Sequence, residues 1–339
     1  MAEPYRLPGF VNAHSHAFQR ALRGSVEGVD FWAWREAMLD LARGQAPERV
    51  REDYRAVYEE MLESGYTAVG EFHYLGFEEG RAATEAAADA GIGFVLLHVA
   101  YERGGIDRFR QDSAAAYLDE VERLRGEGIP VGVAPHSVRA CTPAWLEEIG
   151  RYAEREGLVL HVHACEQPRE IEECVEEHGV RPIELLARTG CLGPRTTIVH
   201  GTHASDAELD LLAEAGARIC VCPTTEANLG DGFVPVRRIR DRGIGLCIGT
   251  DSNARIDPLE ELRELEGIAR RQELRRNVIS PDELLWIGGD TDALGLVEAR
   301  GIEVDLDHPS LRGVARAAVP AALVFGCSAA VLRPQTLSG

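Results

Sequence analysis

The hydrophobic positions of this chain fall into a repeating alternation. Short apolar runs, largely β-branched, are separated by longer stretches rich in Ala, Glu, Arg and Leu. Eight such runs stand out, at 10–16, 67–72, 93–100, 131–136, 158–164, 196–200, 218–222 and 246–250. Each is nearly continuously apolar, which predicts strands buried on both faces. The intervening stretches carry apolar residues at helical spacing, as in 47–64, 81–90, 113–126, 142–156 and 206–215. Thr142-Pro143 and Ser205-Asp206 read as helix starts. Gly65, Gly91 and Gly243 sit where helices should stop. Eight strand-then-helix units predict an α/β fold of the (β/α)8 TIM barrel type. A doubly wound sheet would want a glycine-rich phosphate turn after an early strand, and none is present.

The ends differ from the middle. Few residues precede the first strand, and the helical pattern fades after Gly301. Residues 322–325 read as strand-like and 332–339 as a fraying tail. The expected division is a catalytic barrel over 1–300 and a short C-terminal remnant over 301–339, with no repeat beyond the alternation and no low-complexity linker.

Composition narrows the classes of function. A chain of 339 residues with 45% hydrophobic content can bury a sizeable core. The net charge of −20 argues against nucleic acid and anionic membrane surfaces as partners, though not against a small anionic substrate. No apolar run is long enough to span a membrane, and the N-terminus lacks a charged-then-apolar signal segment. The 8 cysteines form no Cys-x-x-Cys pair, so reduced thiols in a cytoplasm are expected. The chain contains no lysine. Schiff-base chemistry, a P-loop lysine and a carbamylated lysine bridging two metals are therefore excluded.

In such barrels the chemistry sits at the C-terminal ends of the strands. His14 and His16 close the first run, and residues two apart in a strand point to the same side. The fourth run ends at His136, with Arg139 just beyond. The fifth ends in His161-Val162-His163-Ala164-Cys165-Glu166, the sixth in His200-Gly201-Thr202-His203, and the eighth in Gly249-Thr250-Asp251-Ser252. Six of the 11 histidines lie in these endings, not counting His136. Three histidines and a carboxylate can hold one Zn²⁺ with a position left for water, and Fe²⁺ fits the same donors. The expected ligands are His14, His16, His163 and Asp251. The metal would acidify its water into a hydroxide nucleophile. Glu166, three past His163, is placed to shuttle a proton, and His200 to orient the attacking water. Glu71, ending the second run, leaves a second metal open.

Other candidates read as structural. His161 faces the same side as His163, one layer deeper, and is expected in the core. His203 reads as a loop residue satisfied by backbone, Cys165 as packing, and Cys220 and Cys222 as buried strand residues. His73 and His98 default to structural roles, and His178 and His308 to the surface.

These endings resemble the amidohydrolase superfamily in its deaminase branch. Pro8-Gly9 leading to His14-Ser15-His16-Ala17-Phe18-Gln19-Arg20, together with Phe31-Trp32-Ala33-Trp34-Arg35-Glu36 and His136-Ser137-Val138-Arg139, narrows the resemblance to the formimino-glutamate deiminase group. His163-Ala164-Cys165-Glu166-Gln167, Val199-His200-Gly201-Thr202-His203 and Thr250-Asp251-Ser252 continue it across the whole barrel. The resemblance implies zinc on His14, His16, His163 and Asp251, with Glu166, His200 and Asp251 catalytic. It implies substrate contacts from Gln19, Arg35, Tyr74, His136 and Arg139. The implied reaction is hydrolysis of N-formimino-L-glutamate to N-formyl-L-glutamate and ammonia, in histidine degradation. Kin of the group are often homodimers.

A separate physical argument agrees: a substrate with two carboxylates suits an arginine pair in an otherwise acidic protein. The alternatives are a related amidohydrolase acting on another amidine, guanidine or ring, and an inactive metal-binding barrel. Family members usually add a small β-rich domain from segments flanking the barrel, expected here to be absent or much reduced. Asn253 stands where histidine is more usual in the group, which points to altered substrate choice.

Overall fold

Eight parallel strands follow one another around a barrel in sequence order. The computed structural model describes residues 4–334. The barrel strands are β2 (Phe10–Ser15), β3 (Tyr66–His73), β4 (Gly93–Ala100), β5 (Val131–Pro135), β6 (Leu160–Ala164), β7 (Thr196–His200), β8 (Arg218–Val221) and β9 (Gly245–Ile248). They lie on the eight apolar runs, and almost every residue in them is buried, as strands covered on both faces must be. The ring closes at its C-terminal end. Thr250 N and Asp251 N both donate to the His14 carbonyl, at 3.1 and 3.0 Å, and His16 N donates to the Asp251 carbonyl at 2.8 Å. Asn12 reinforces the seam by accepting from Thr250 N at 3.0 Å and donating to Thr250 Oγ1 at 2.6 Å. Closure is thus made by the backbone of three expected metal ligands.

The helices start and stop on the signals read above. Ser205 makes a reciprocal cap with Glu208, and Ser113 caps the helix Ala114–Gly126. Thr142 makes no side-chain cap, and Pro143 alone marks that start. Gly65 ends the helix Pro47–Ser64 at φ 99°, a conformation a Cβ would oppose.

The interior holds a small core of its own, built from Ala13, Val199, Cys220, Cys222, Cys247 and Ala293. The main core lies between strands and helices. Small side chains fit the narrow lumen. Segment 290–296 plugs the floor: a Cβ on Gly70 would meet Leu294 Cδ2 at 2.4 Å, so that glycine lets the plug approach. All eight cysteines are buried and free. Among the described residues no helix is long and apolar enough to cross a membrane.

Strand β1 (Tyr5–Leu7) precedes the barrel, and β10 (Ile302–Val304) and β11 (Leu332–Pro334) follow it. They form a separate antiparallel sheet, with β10 in the middle. Residues 332–334, expected to fray, are therefore paired; 335–339 lie outside the described residues. The strand expected at 322–325 is instead part of the helix Val319–Gly326, with Pro320 in its first turn. A short apolar run has no period long enough to separate the two conformations, and here the preceding proline decided for helix.

Candidate active site and metal centre

Four side chains converge at the mouth of the barrel. His14 Nε2 lies 3.2 Å from His16 Nε2 and 3.1 Å from His163 Nε2. Asp251 Oδ1 lies 3.5 Å from His14 Nε2 and 3.3 Å from His16 Nε2. Among the described residues this is the one set of ligand atoms all within 4.8 Å of one another.

The outer nitrogens explain why the inner ones face each other. His16 Nδ1 sits 2.9 Å from the Phe72 carbonyl and His163 Nδ1 3.0 Å from the His136 carbonyl. A carbonyl accepts only from N–H, so both rings carry their proton on Nδ1 and aim a bare Nε2 inward. Burial lowers the pKa of all three imidazoles, so they stay neutral. His14 can donate to one bare nitrogen at most, whereas a dication satisfies all three and the carboxylate. The donor set fits Zn²⁺ or Fe²⁺.

The turns beyond the strands are held in an uncommon backbone conformation. Cys165, His200, Asp251 and Asn253 have φ of 59, 74, 45 and 56°, and none is glycine. Such conformations persist where surrounding structure over-determines them, and they concentrate at functional sites. Gly249 serves the same seam: a Cβ there would meet the His14 carbonyl at 2.7 Å.

His200 Nε2 stands 3.8 Å from both Glu166 Oε1 and Asp251 Oδ2. Its Nδ1 lies 3.2 Å from Glu226 Oε1. Burial opposes charge on His200, but Glu166, Glu226 and Asp251 outweigh it and hold its pKa well above the ordinary imidazole value. Burial raises the Glu166 carboxyl, with Asp251 and Glu170 adding and His200 and Arg139 opposing. A carboxyl and an imidazole pushed upward side by side are suited to exchanging a proton.

A cleft of about 280 Å³ opens over these groups. Gln19, Arg35, Tyr74, His136, Arg139, Glu166, His200 and Asp251 all line it, with His16 and His163 at its base. His14 lies behind them, fully buried. Tyr74 Oη accepts from Gln19 Nε2 at 2.9 Å. Arg139 Nε is buried without a hydrogen-bond partner, while Arg35 pairs with Glu36 at 3.3 Å.

Several expectations need correction or completion. Glu71 takes no part in the ligand cluster; its carboxylate accepts from Ala17 N at 2.7 Å and fixes the turn after His16. Asn253 does not line the cleft. It is fully buried, donating to Ser15 Oγ at 3.1 Å and accepting from Thr250 Oγ1 at 2.6 Å, so it locks the seam between β2 and β9. His178 is half-buried rather than exposed. His203 is satisfied by the Asp231 carbonyl at 2.7 Å, and His98 pairs with Glu120 at 2.9 Å. Glu226, Asp231, Tyr101 and Arg103 were not read from the sequence. Glu226 had a usable signal, a carboxylate four residues past Cys222 at the end of an apolar run. The others sit on loops with no periodicity.

The barrel and its three-histidine, one-carboxylate mouth are those of a metal-centred hydrolase. Residues 5–287 match the amidohydrolase family, and the chain belongs to it. It is 37% identical over 310 residues to a formimidoylglutamate deiminase of Pseudomonas aeruginosa, covering 83% of this chain and 68% of that one. It is 30% identical over 319 residues to a 5-methylthioadenosine/S-adenosylhomocysteine deaminase of Natronomonas pharaonis, covering 90% and 74%. A solved amidohydrolase from Brucella melitensis superposes with a TM-score of 0.85 at 31% identity, covering 97% of this chain and 85% of that one.

Proposed function

We propose that this chain hydrolyses N-formimino-L-glutamate to N-formyl-L-glutamate and ammonia. The observation that carries the reading is Arg139. Its Nε is buried without a partner on the wall of a cleft whose base is the metal cluster. A buried guanidinium nitrogen left unpaired by the protein asks for an anionic ligand. The 37% identity to a formimidoylglutamate deiminase points the same way.

His14, His16, His163 and Asp251 would hold the metal, with zinc the proposed ion. When bound, it supplies Lewis acidity, lowering the pKa of a water toward neutrality. The side chains do the rest. His200 Nε2 and Asp251 Oδ2, 3.8 Å apart, orient the water, and Asp251 Oδ2 takes up its proton. Oxygen adds to the formimino carbon, and Glu166 passes both protons of the water to the nitrogen, the first from Asp251 as oxygen adds and the second, from the new hydroxyl, as the C–N bond breaks, so the formyl C=O forms and ammonia leaves. Glu226 accepts from His200 Nδ1 and so holds the ring with Nε2 toward the cleft. Arg139 and Arg35 hold the two carboxylates, and Gln19, Tyr74 and His136 bound the space between.

The likeness to 5-methylthioadenosine/S-adenosylhomocysteine deaminases favours a second reading, deamination of a ring amidine. The same metal ligands would serve it, but neutral 5-methylthioadenosine gives Arg139 no partner; only the carboxylate of S-adenosylhomocysteine would. Product analysis separates the outcomes. Ammonia and N-formyl-L-glutamate, lost in Glu166→Gln by about 10²–10⁴-fold, support the proposal. Formamide and glutamate, or no turnover by folded, metal-loaded protein, overturn it.

A further inference from the structure

Arg103 lies in the loop after β4 and forms part of the cleft wall. Every nitrogen of its guanidinium has a protein partner. NH1 and NH2 reach the two Glu177 oxygens at 2.7 and 2.9 Å. Nε donates to the Arg139 carbonyl at 3.0 Å, and NH2 also reaches the Val138 carbonyl at 3.5 Å. The backbone of the same loop repeats the grip: Glu102 N and Arg103 N donate to the Ala140 carbonyl at 2.9 and 3.0 Å. The Glu102 carboxylate accepts from Thr142 N at 2.7 Å.

The segment so held, residues 136–142, carries His136 and Arg139. Glu177 belongs to the helix Pro168–His178. One guanidinium therefore joins the loop after β4, the turn after β5 and the helix after β6. A fork engaged by a carboxylate and two carbonyls has no second fork for a substrate. Arg139 is the opposite case, with a buried Nε lacking a partner.

We propose that Arg103 is a positioning residue: with Glu177 it sets the pose in which Arg139 meets a substrate carboxylate. Discrimination of anionic from neutral amidines then depends on an ion pair that itself touches no substrate. This rests on Arg139 being the carboxylate clamp. A misplacement of a clamp by a fraction of its hydrogen-bond length loses binding without touching the reacting atoms.

The test compares Arg103→Ala, Arg103→Lys, Glu177→Gln, Arg139→Ala and the double variant of Arg103→Ala with Arg139→Ala. Two readouts are used: calorimetric binding of N-formyl-L-glutamate, and kinetics on N-formimino-L-glutamate. Arg103→Ala and Glu177→Gln should each raise Kd and KM about tenfold, with kcat within about twofold and metal content unchanged. Arg103→Lys should recover part of the loss, since it keeps the charge but not the fork. In the Arg139→Ala background, Arg103→Ala should add less than about twofold, because it acts through Arg139.

Additive losses in the double variant would overturn the proposal by making Arg103 a direct contact. Unchanged Kd and KM in Arg103→Ala and Glu177→Gln would overturn it too, as would joint loss of kcat and metal. If folded, metal-loaded wild type neither binds N-formyl-L-glutamate nor turns over the substrate, the proposed function fails, and this inference with it. If wild type does both and the variants behave as wild type, only this inference fails.

Discussion

His161 and His163 sit on the same strand, face the same side and are both buried, yet they belong to different parts of the molecule. His163 ends at the mouth, with Nδ1 on a carbonyl and Nε2 toward two other imidazoles. His161 lies one layer down, with Nε2 donating at 2.7 Å to the Ala293 carbonyl of the floor plug. Burial lowers its pKa to about 4, so it too is neutral. Beside it in register stand Thr197 and, on the next strand, Arg218, which meets Asp290 at 3.6 Å. The mouth gathers groups whose inner atoms need an ion; the floor gathers groups that tie the barrel to its plug. Chemistry in this fold is a matter of depth along the strand rather than of residue type.

The largest expected effect separates these two layers. His163→Asn should abolish metal retention and activity while leaving a folded barrel. His161→Asn should keep the metal but lower stability by about 1–3 kcal/mol, through the unpaired Ala293 carbonyl. Metal analysis after gel filtration, with thermal melts, checks both; metal lost equally from the two variants would erase the distinction.

Within the mouth, Arg139→Met should lower kcat/KM for N-formimino-L-glutamate by about 10²–10³-fold, for two charge-assisted hydrogen bonds of about 1.5–3 kcal/mol each, partly compensated. Metal content should not change.

Glu226→Leu should cost on the order of 10²-fold in kcat with KM little altered, since it frees the His200 ring to turn without touching the carboxylate clamp.

The smallest effect concerns the buried carboxyl behind the turn after His16. Burial raises Glu71 from its ordinary value to about 8. A carboxyl raised on folding binds its proton more tightly in the folded state. Its contribution to stability is complete below about 4.5 and is lost as pH climbs through about 8. Glu71→Gln should flatten the decline in melting temperature between those limits; an unchanged decline would show that Glu71 is not its source.

How much of this was legible in the sequence follows from the same contrast. The strand ends were, because a two-residue strand period and a buried apolar run place His14, His16, His163 and Asp251 without any tertiary knowledge. Of the supporting groups, Glu226 carried a signal at the end of an apolar run, but nothing local marks Arg103's bond to the Arg139 carbonyl 36 residues on. The three-stranded sheet pairs Arg6 with Glu303, and strands of three residues carry no period to read. The place of Asn253 was not legible either: its neighbour Asp251 faces the cleft, while its own left-handed backbone turns the side chain into the seam.

The central claim is that this mouth is built for a small dicarboxylate amidine. The most direct measurement is the ratio of kcat/KM for N-formimino-L-glutamate to that for 5′-methylthioadenosine, by ammonia release from the zinc-loaded protein. The account predicts a ratio of at least about 10³ that collapses in Arg139→Met. A ratio below one, insensitive to Arg139, would contradict it and assign the cleft to a ring amidine.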